Sequence, residues 1–218
     1  MSLDDILLKK WRESGEPRFT NWLSNNPHII GCNIKLSKYE IEKCAKFAED
    51  RIAGSVKLYK KRNGCSTDKI RTDIMTGTMG ELGIYHFLKG LGYDISKPDF
   101  AIYGTKKKSF AADMIIDDFN IHCKTQHWDS AKKYGISWIL QCSERYGMDK
   151  LFKHRTEKDY IATALRNEDD TITILGVMSI PFLFDNDLIG EPKLKWFQGV
   201  KKALYLEELP KKELFNFL

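Results

Sequence analysis

The spacing of apolar residues predicts two amphipathic helices in the first half of the chain. Apolar side chains recur every three or four positions from Ile41 to Val56, and Ser37 followed by Glu40 is typical of a helix N-terminal capping pair. We therefore expect a helix from about Lys38 to Tyr59. A second helix is predicted over residues 76–90, where apolar positions recur and glycines end the segment.

The rest of the chain has the pattern of strands. Runs rich in Ile and aromatic residues alternate with polar turn candidates. We predict strands at 100–103, 110–116, 120–126, 136–141, 160–165, 171–178 and 203–206, and a short helix at 148–154. Residues 1–36 show no clear period. A helical portion over 1–70 before a strand-rich core over 71–218 predicts a single domain of the α/β class, with a β-sheet flanked by helices.

The most informative stretch is a candidate β-hairpin around Asp117-Asp118-Phe119-Asn120. These four residues form a polar turn candidate of hairpin length between two apolar runs. With Asp118-Phe119 as the two central turn residues, the strand register places Asp113 directly opposite Lys124.

Side chains alternate between the two faces of a strand, so this hairpin separates into two sets. One face is apolar and comprises Ala112, Met114, Ile116, Ile121 and Cys123. The other face carries the polar set Asp113, His122, Lys124 and Gln126. Burying unpaired charges costs several kcal/mol, and a metal ion or a phosphate would offset that cost. The polar face is therefore the candidate site.

These residues resemble the motif of the PD-(D/E)xK nuclease superfamily, to which many restriction endonucleases, junction resolvases and phage recombination nucleases belong. The matching positions are Asp113, the tripeptide His122-Cys123-Lys124, and Glu81 on the second predicted helix. The resemblance covers roughly residues 76–142. It implies a restriction-endonuclease-like mixed sheet and a metal-dependent endonuclease that hydrolyses phosphodiester bonds in DNA.

The resemblance also implies a role for each matching residue. Asp113, Glu81 and His122 would hold one or two Mg²⁺ ions, and Lys124 would steady the nucleophile or a phosphoryl oxygen. Gln126 would hold a substrate phosphate or an ordered water. His122 stands where the family usually has Asp or Glu, and imidazole is a softer ligand than Mg²⁺ prefers, so Mn²⁺ is expected to be the better activator.

Other interpretations of these residues stay open. Asp113 and Lys124 can form an ordinary cross-strand ion pair, worth about 0.2–1 kcal/mol. A helical glutamate such as Glu81 is often solvated, and His122 can be a satisfied polar residue without a ligand. The alternative function is a catalytically inactive nucleic-acid-binding module of the same fold, and a third is a structural or interaction protein.

Composition narrows the class of protein further. The chain is 42% hydrophobic and 30% charged, which excludes a disordered or collagen-like protein. Five widely spaced cysteines without a C-x-x-C pair indicate reduced thiols. No run approaches the ~20 apolar residues of a membrane span, and the N-terminus lacks the pattern of a signal peptide. We therefore expect a cytoplasmic protein without a membrane partner.

The charge balance is only mildly basic. Lys and Arg number 35 against 30 Asp and Glu, a formal net charge of +5, which alone does not establish a DNA partner. Basic residues with aromatic neighbours follow the candidate site at 132–134, 145–146, 150–155 and 193–202. If they share its face, they would follow a nucleic-acid backbone. Symmetric double-strand cutting would imply a homodimer, although the sequence has no heptad pattern to support one.

Overall fold

The computed structural model describes residues 31–63, 66–102, 112–143, 148–149 and 151–209. The start of the predicted strand at 110–116 and the basic and aromatic residues at 145–146 lie outside the described residues, as does most of the segment 1–36. Within them lie five α-helices, which are α1 (Lys38–Asn63), α2 (Thr67–Gly90), α3 (Trp128–Tyr134), α4 (Leu151–His154) and α5 (Ile180–Asp185). No described helix is long and apolar enough to cross a membrane.

Both long helices begin at a serine cap. The N–H of Ser37 donates to Glu40 Oε2 at 2.9 Å and the N–H of Glu40 donates to Ser37 Oγ at 3.3 Å, which is the capping pair predicted for α1. Ser66 caps α2 by accepting the N–H of Lys69 at 3.2 Å. The predicted start of α2 at Thr76 was therefore too late. Its first turns bury Ile70 and Ile74 in a cluster with residues of α1.

The main sheet has five strands in the order β1-β6-β5-β3-β2. The bounds of these strands are β1 (Cys32–Ile34), β2 (Met114–Ile116), β3 (Phe119–His127), β5 (Asp159–Arg166) and β6 (Ile172–Ser179). β3 and β5 are parallel and the other pairs are antiparallel. The sheet is therefore mixed, and the predicted α/β class with a flanked mixed sheet is confirmed.

A second sheet of three strands lies in the order β4-β8-β7. It comprises β4 (Ser137–Gln141), β7 (Ile189–Gly190) and β8 (Lys201–Tyr205). Trp138 of β4 is buried and its indole N–H donates to the carbonyl of Ala164 in β5 at 3.0 Å, so the two sheets pack against each other. Residues 100–102, predicted as strand, carry no regular structure.

The predicted hairpin forms, but its register differs from the prediction. Ile115, rather than Asp117, lies opposite Asn120, and the turn is Asp117-Asp118. Asp117 adopts φ 51°, a left-handed conformation that Asp tolerates better than most residues. The tighter turn shifts every pair by two residues. Because two is the strand period, each side chain keeps its predicted face while its partner changes.

The two faces of β3 meet different parts of the molecule. The apolar face holds Met114, Ile116 and Ile121, which are buried in one cluster with residues of α2. The opposite face, which carries His122 and Lys124, lies on the side of the second sheet, where Ile161 of β5 joins the cluster around Trp138.

Candidate functional site

Asp113 lies immediately before β2, at the point where that strand separates from β3. The last ladder pair is Met114 with Ile121, and beyond it the carboxylate of Asp113 accepts the backbone N–H of Cys123 at 2.7 Å. The side chain thus replaces the main-chain acceptor that a longer β2 would provide. Asp113 is not on the strand, and the predicted cross-strand pair with Lys124 is not formed.

Glu81 reaches the same region from α2 because the helix packs closely on β3. A Cβ atom built on Gly80 would lie 1.7 Å from Thr125 Oγ1, so only glycine permits this approach. Thr125 Oγ1 is buried and has no hydrogen-bond partner among the described residues. The contact between Gly80 and Thr125 fixes the distance of α2 from β3 and the rotation of α2 about its axis. It does so at the residue directly before Glu81.

Glu81 and Asp113 interact electrostatically. Burial, and after it the negative charge of Asp113, raise the pKa of Glu81 to about 8, while Arg51 and Lys124 act in the opposite direction. We call Glu81 and Asp113 the carboxylate pair. At neutral pH and without a cation, Glu81 is therefore mostly protonated. A partly buried carboxyl group whose pKa is raised by burial and by a neighbouring carboxylate marks a candidate cation site.

Cys123 lies beside the carboxylate pair, in surroundings that disfavour its thiolate. Burial, followed by the charges of Asp113 and Glu81, raises the pKa of its thiol well above the ordinary value. The thiolate, which is the reactive form of cysteine, is therefore suppressed. The ionic chemistry of this site rests on the carboxylates and Lys124.

Lys124 has a partner that the sequence did not predict. Its Nζ lies 3.6 Å from Asp149 Oδ2, in a pair that is partly shielded from solvent. Asp149 is itself held, because its N–H donates to the carbonyl of Gln141 at 2.8 Å and its Oδ1 accepts the N–H of Leu151 at 3.3 Å. Lys124 also acts on the pKa of Glu81, so its ammonium belongs to the electrostatic surroundings of the carboxylate pair.

His122 is bound to a different carboxylate. Its Nε2 lies 3.1 Å from Oδ1 of the buried Asp159 on β5. Asp159 also accepts hydrogen bonds from Asn120 Nδ2 at 3.0 Å and from the N–H of Thr156 at 2.6 Å. Burial acts to raise the pKa of Asp159, but these hydrogen bonds outweigh it and hold that pKa below its ordinary value. The parallel pairing of β3 with β5 produces this network.

Gln126 has a structural task at the start of β4. Its Nε2 donates to the carbonyl of Gly135 at 3.0 Å, and its Oε1 accepts the N–H of Ser137 at 2.9 Å. Both ends of the amide thus hold the connection from α3 to β4 against β3. Its predicted contact with a phosphate or a water stays a prediction.

The donor set around the carboxylate pair decides which ions fit. Among the described residues, no three His, Cys, Asp or Glu side chains lie close enough together to hold a metal ion. Glu81, Asp113 and His122 therefore do not form the predicted set of three ligands. Mg²⁺ keeps several waters and is commonly bound through one or two carboxylates, so the carboxylate pair fits Mg²⁺ better than a softer ion that needs nitrogen or sulfur ligands.

Three comparisons with known proteins were negative: no family model, no curated protein and no solved structure matches the chain.

Proposed function

We propose that the protein is a metal-dependent endonuclease that hydrolyses phosphodiester bonds in DNA. One observation carries this proposal: where β2 and β3 separate, the negative charge of the hairpin residue Asp113 adds to burial in raising the pKa of the helix residue Glu81. A pair held this way is arranged for a hard cation. The PD-(D/E)xK resemblance puts the same residue types on a helix and on two antiparallel strands.

Each residue has a definite task in this proposal. Glu81 and Asp113 would hold Mg²⁺, or Mn²⁺, through oxygen atoms and bound waters. When bound, the ion supplies a water of lowered pKa and neutralises charge on the phosphate. Lys124 places a positive charge beside the pair, where it attracts the phosphate and stabilises charge on its oxygens. The pairing of Lys124 with Asp149 orients the ammonium before substrate arrives.

His122 plays no direct part in binding the ion in this proposal. Its Nε2 faces Asp159 on β5, so its task is to anchor β3 to β5 beneath Lys124. The same observation favours the second candidate function, a nucleic-acid-binding module of this fold without catalysis. Position 122 carries a histidine, where the nuclease motif usually has Asp or Glu, and this histidine is hydrogen-bonded to Asp159. The site therefore has one carboxylate fewer with which to bind a metal ion.

A plasmid-nicking assay distinguishes these functions. We expect the purified chain to convert supercoiled plasmid to the nicked form with Mg²⁺ or Mn²⁺ and to be inactive with EDTA. Asp113→Asn and Lys124→Ala should each abolish nicking. Asp117→Asn is the matched control, because it makes the same chemical change at an exposed turn position four residues away. Nicking by Asp113→Asn at the wild-type rate would refute the site, and an inactive wild type that binds DNA would support the second function.

A further inference from the structure

Trp196 is exposed on the second sheet, although tryptophan is usually well buried. It lies in the 3₁₀-helix Lys195–Phe197 before β8, and 68% of its surface is accessible. A single exposed aromatic residue needs no explanation by itself. The surroundings of Trp196 do need an explanation, because the neighbouring backbone is held by hydrogen bonds and the neighbouring side chains include lysines.

The backbone around Trp196 is held by local hydrogen bonds. The N–H of Phe197 donates to the carbonyl of Leu194 at 2.9 Å, and Gln198 Nε2 donates to the carbonyl of Pro192 at 3.1 Å. The rings of Trp196 and Phe197 meet edge to face with centroids 6.1 Å apart. The indole is thus presented from an ordered turn, which lowers the entropy cost of placing a flat ligand on it.

Positive charge surrounds these rings. Residues 191–202 contain four lysines and one glutamate. Lys201 Nζ lies 4.2 Å from the centroid of the Phe197 ring, and Lys202 pairs with Glu191 at 2.5 Å. Lys195 is exposed and forms no ion pair with any described residue. Lys193 also pairs with a carboxylate, that of Glu207, so the positive charge next to the two aromatic rings rests mainly on Lys195, with Lys201 over the Phe197 ring.

This surface is connected to the candidate site through the second sheet. Lys201 of β8 pairs with Gln141 of β4, whose carbonyl accepts the N–H of Asp149. Asp149 in turn pairs with Lys124. These contacts link Lys124 to β8, the strand that follows the 3₁₀-helix of Trp196.

We infer that the surface formed by Lys195, Trp196, Phe197 and Lys201 binds single-stranded DNA, with a base stacked on the indole of Trp196. Aromatic rings beside cationic side chains are the means by which proteins bind single strands, because every base has a flat face to stack and every nucleotide carries a phosphate. In a duplex both faces of each base are already covered. The inference rests on the proposed function for its ligand, and it names the substrate class as DNA with a single-stranded segment.

The test measures fluorescence anisotropy of a labelled oligonucleotide with the full chain in EDTA, so that binding is observed without cleavage. We expect the single strand to bind more tightly than a blunt duplex of the same sequence. Trp196→Ala should lower the affinity for the single strand about 5- to 150-fold, the range for losing one stacked base. Trp196→Phe should keep most of it, and Lys195→Ala should reduce the dependence on salt.

The matched control is Tyr39→Ala, which removes an equally exposed aromatic ring from α1, where 74% of the residue is accessible. Circular dichroism confirms folding of each variant. Equal binding by Trp196→Ala and wild type would overturn the inference, as would tighter binding of the duplex or no binding at all. These outcomes are independent of nicking. If the wild type nicks DNA but Trp196→Ala binds the single strand as tightly as the wild type, only the inference about this surface is refuted. If the wild type does not nick DNA but needs Trp196 to bind the single strand, only the proposed catalysis is refuted.

Discussion

The carboxylate of Asp113 accepts the backbone N–H of Cys123 at 2.7 Å, at the place where β2 ends its pairing with β3. One side chain thus has two tasks. It closes the edge of the hairpin, and it brings negative charge to the partly buried Glu81. The two tasks place different demands on the residue, since the first needs only an acceptor oxygen and the second needs a charge.

Variants of Asp113 should separate these tasks. Asp113→Asn keeps an acceptor for Cys123, so we expect little change in the free energy of unfolding but a loss of nicking of roughly 100-fold or more. Asp113→Ala removes the acceptor as well and should lower stability by about 1–3 kcal/mol. Urea unfolding and initial nicking rates measure the two effects. Equal stability of both variants would show that the hydrogen bond to Cys123 does not hold the hairpin.

The pKa of Glu81 predicts an unusual dependence of stability on pH in the metal-free protein. The pKa of about 8 in the folded state lies above the ordinary value of 4.5, because folding disfavours the charged form. The contribution of Glu81 to stability is therefore complete below pH 4.5, falls as the pH rises to 8, and is constant above that. Glu81→Gln has no charge to bury, so it should match the wild type near pH ~4 and exceed it above pH ~7.

Thermal unfolding between about pH 4 and pH 9 in EDTA checks this expectation. Glu42→Gln on α1 is the control, since that glutamate is exposed and pairs with Lys38 on the surface. Added Mg²⁺ should raise the melting temperature of the wild type and not that of Glu81→Gln, because a bound ion stabilises only the chain that holds it. A difference between Glu81→Gln and wild type that is the same at every pH would contradict the assigned pKa.

Much of the hairpin could be predicted from the sequence, because its strands and its turn are encoded by neighbouring residues. Alternation of apolar and polar residues assigns faces correctly whatever the register, because an error of two residues leaves the alternation unchanged. The turn itself was ambiguous, since Asp117 and Asp118 are both residues that turns accept. The register, and with it the partner of Asp113, therefore required the structure.

The partners of the two motif residues on β3 could not be predicted. Lys124 pairs with Asp149 and His122 with Asp159, contacts that depend on β4 and on the parallel pairing of β3 with β5. A pattern of residues within a short stretch of sequence does not encode contacts between residues that are far apart along the chain. The resemblance to a nuclease motif supplied residue types but not these neighbours, so it did not predict that His122 faces Asp159.

The contact between Gly80 and Thr125 predicts a sharp difference between two glycines of α2. A methyl group on Gly80 would overlap Thr125 Oγ1, whereas a methyl group on Gly77 meets nothing within 4 Å. Gly80→Ala should therefore cost about 1–3 kcal/mol through overpacking and reduce nicking by moving Glu81 away from Asp113. Gly77→Ala should stabilise the helix by about 0.5–1 kcal/mol and leave nicking unchanged.

Melting temperatures and nicking rates of Gly80→Ala and Gly77→Ala test this difference directly. The more informative readout is the Mg²⁺ concentration for half-maximal nicking, which should rise for Gly80→Ala because the carboxylate pair is spread apart. A Gly80→Ala variant with lower stability but an unchanged metal requirement would show that the helix approach supports the fold alone.

The substitution His122→Glu restores the residue type usual in the nuclease motif, yet it places a carboxylate against the buried Asp159. We expect the single variant to lose about 1–3 kcal/mol of stability, because two like charges replace a hydrogen bond. Asp159→Asn added to it removes the repulsion and should recover most of that loss. The coupling free energy of the double-mutant cycle, measured by urea unfolding, should therefore be favourable.

The same double variant tests whether position 122 can serve the metal. Once the repulsion from position 159 is relieved, the introduced carboxylate is free to turn toward Asp113. The Mg²⁺ concentration for half-maximal nicking should then be lower for the double variant than for Asp159→Asn alone, because a third carboxylate holds a hard cation more tightly. If His122→Glu alone is as stable as the wild type, Asp159 is not the partner that fixes the imidazole, and direct binding of a metal ion by His122 becomes the better explanation.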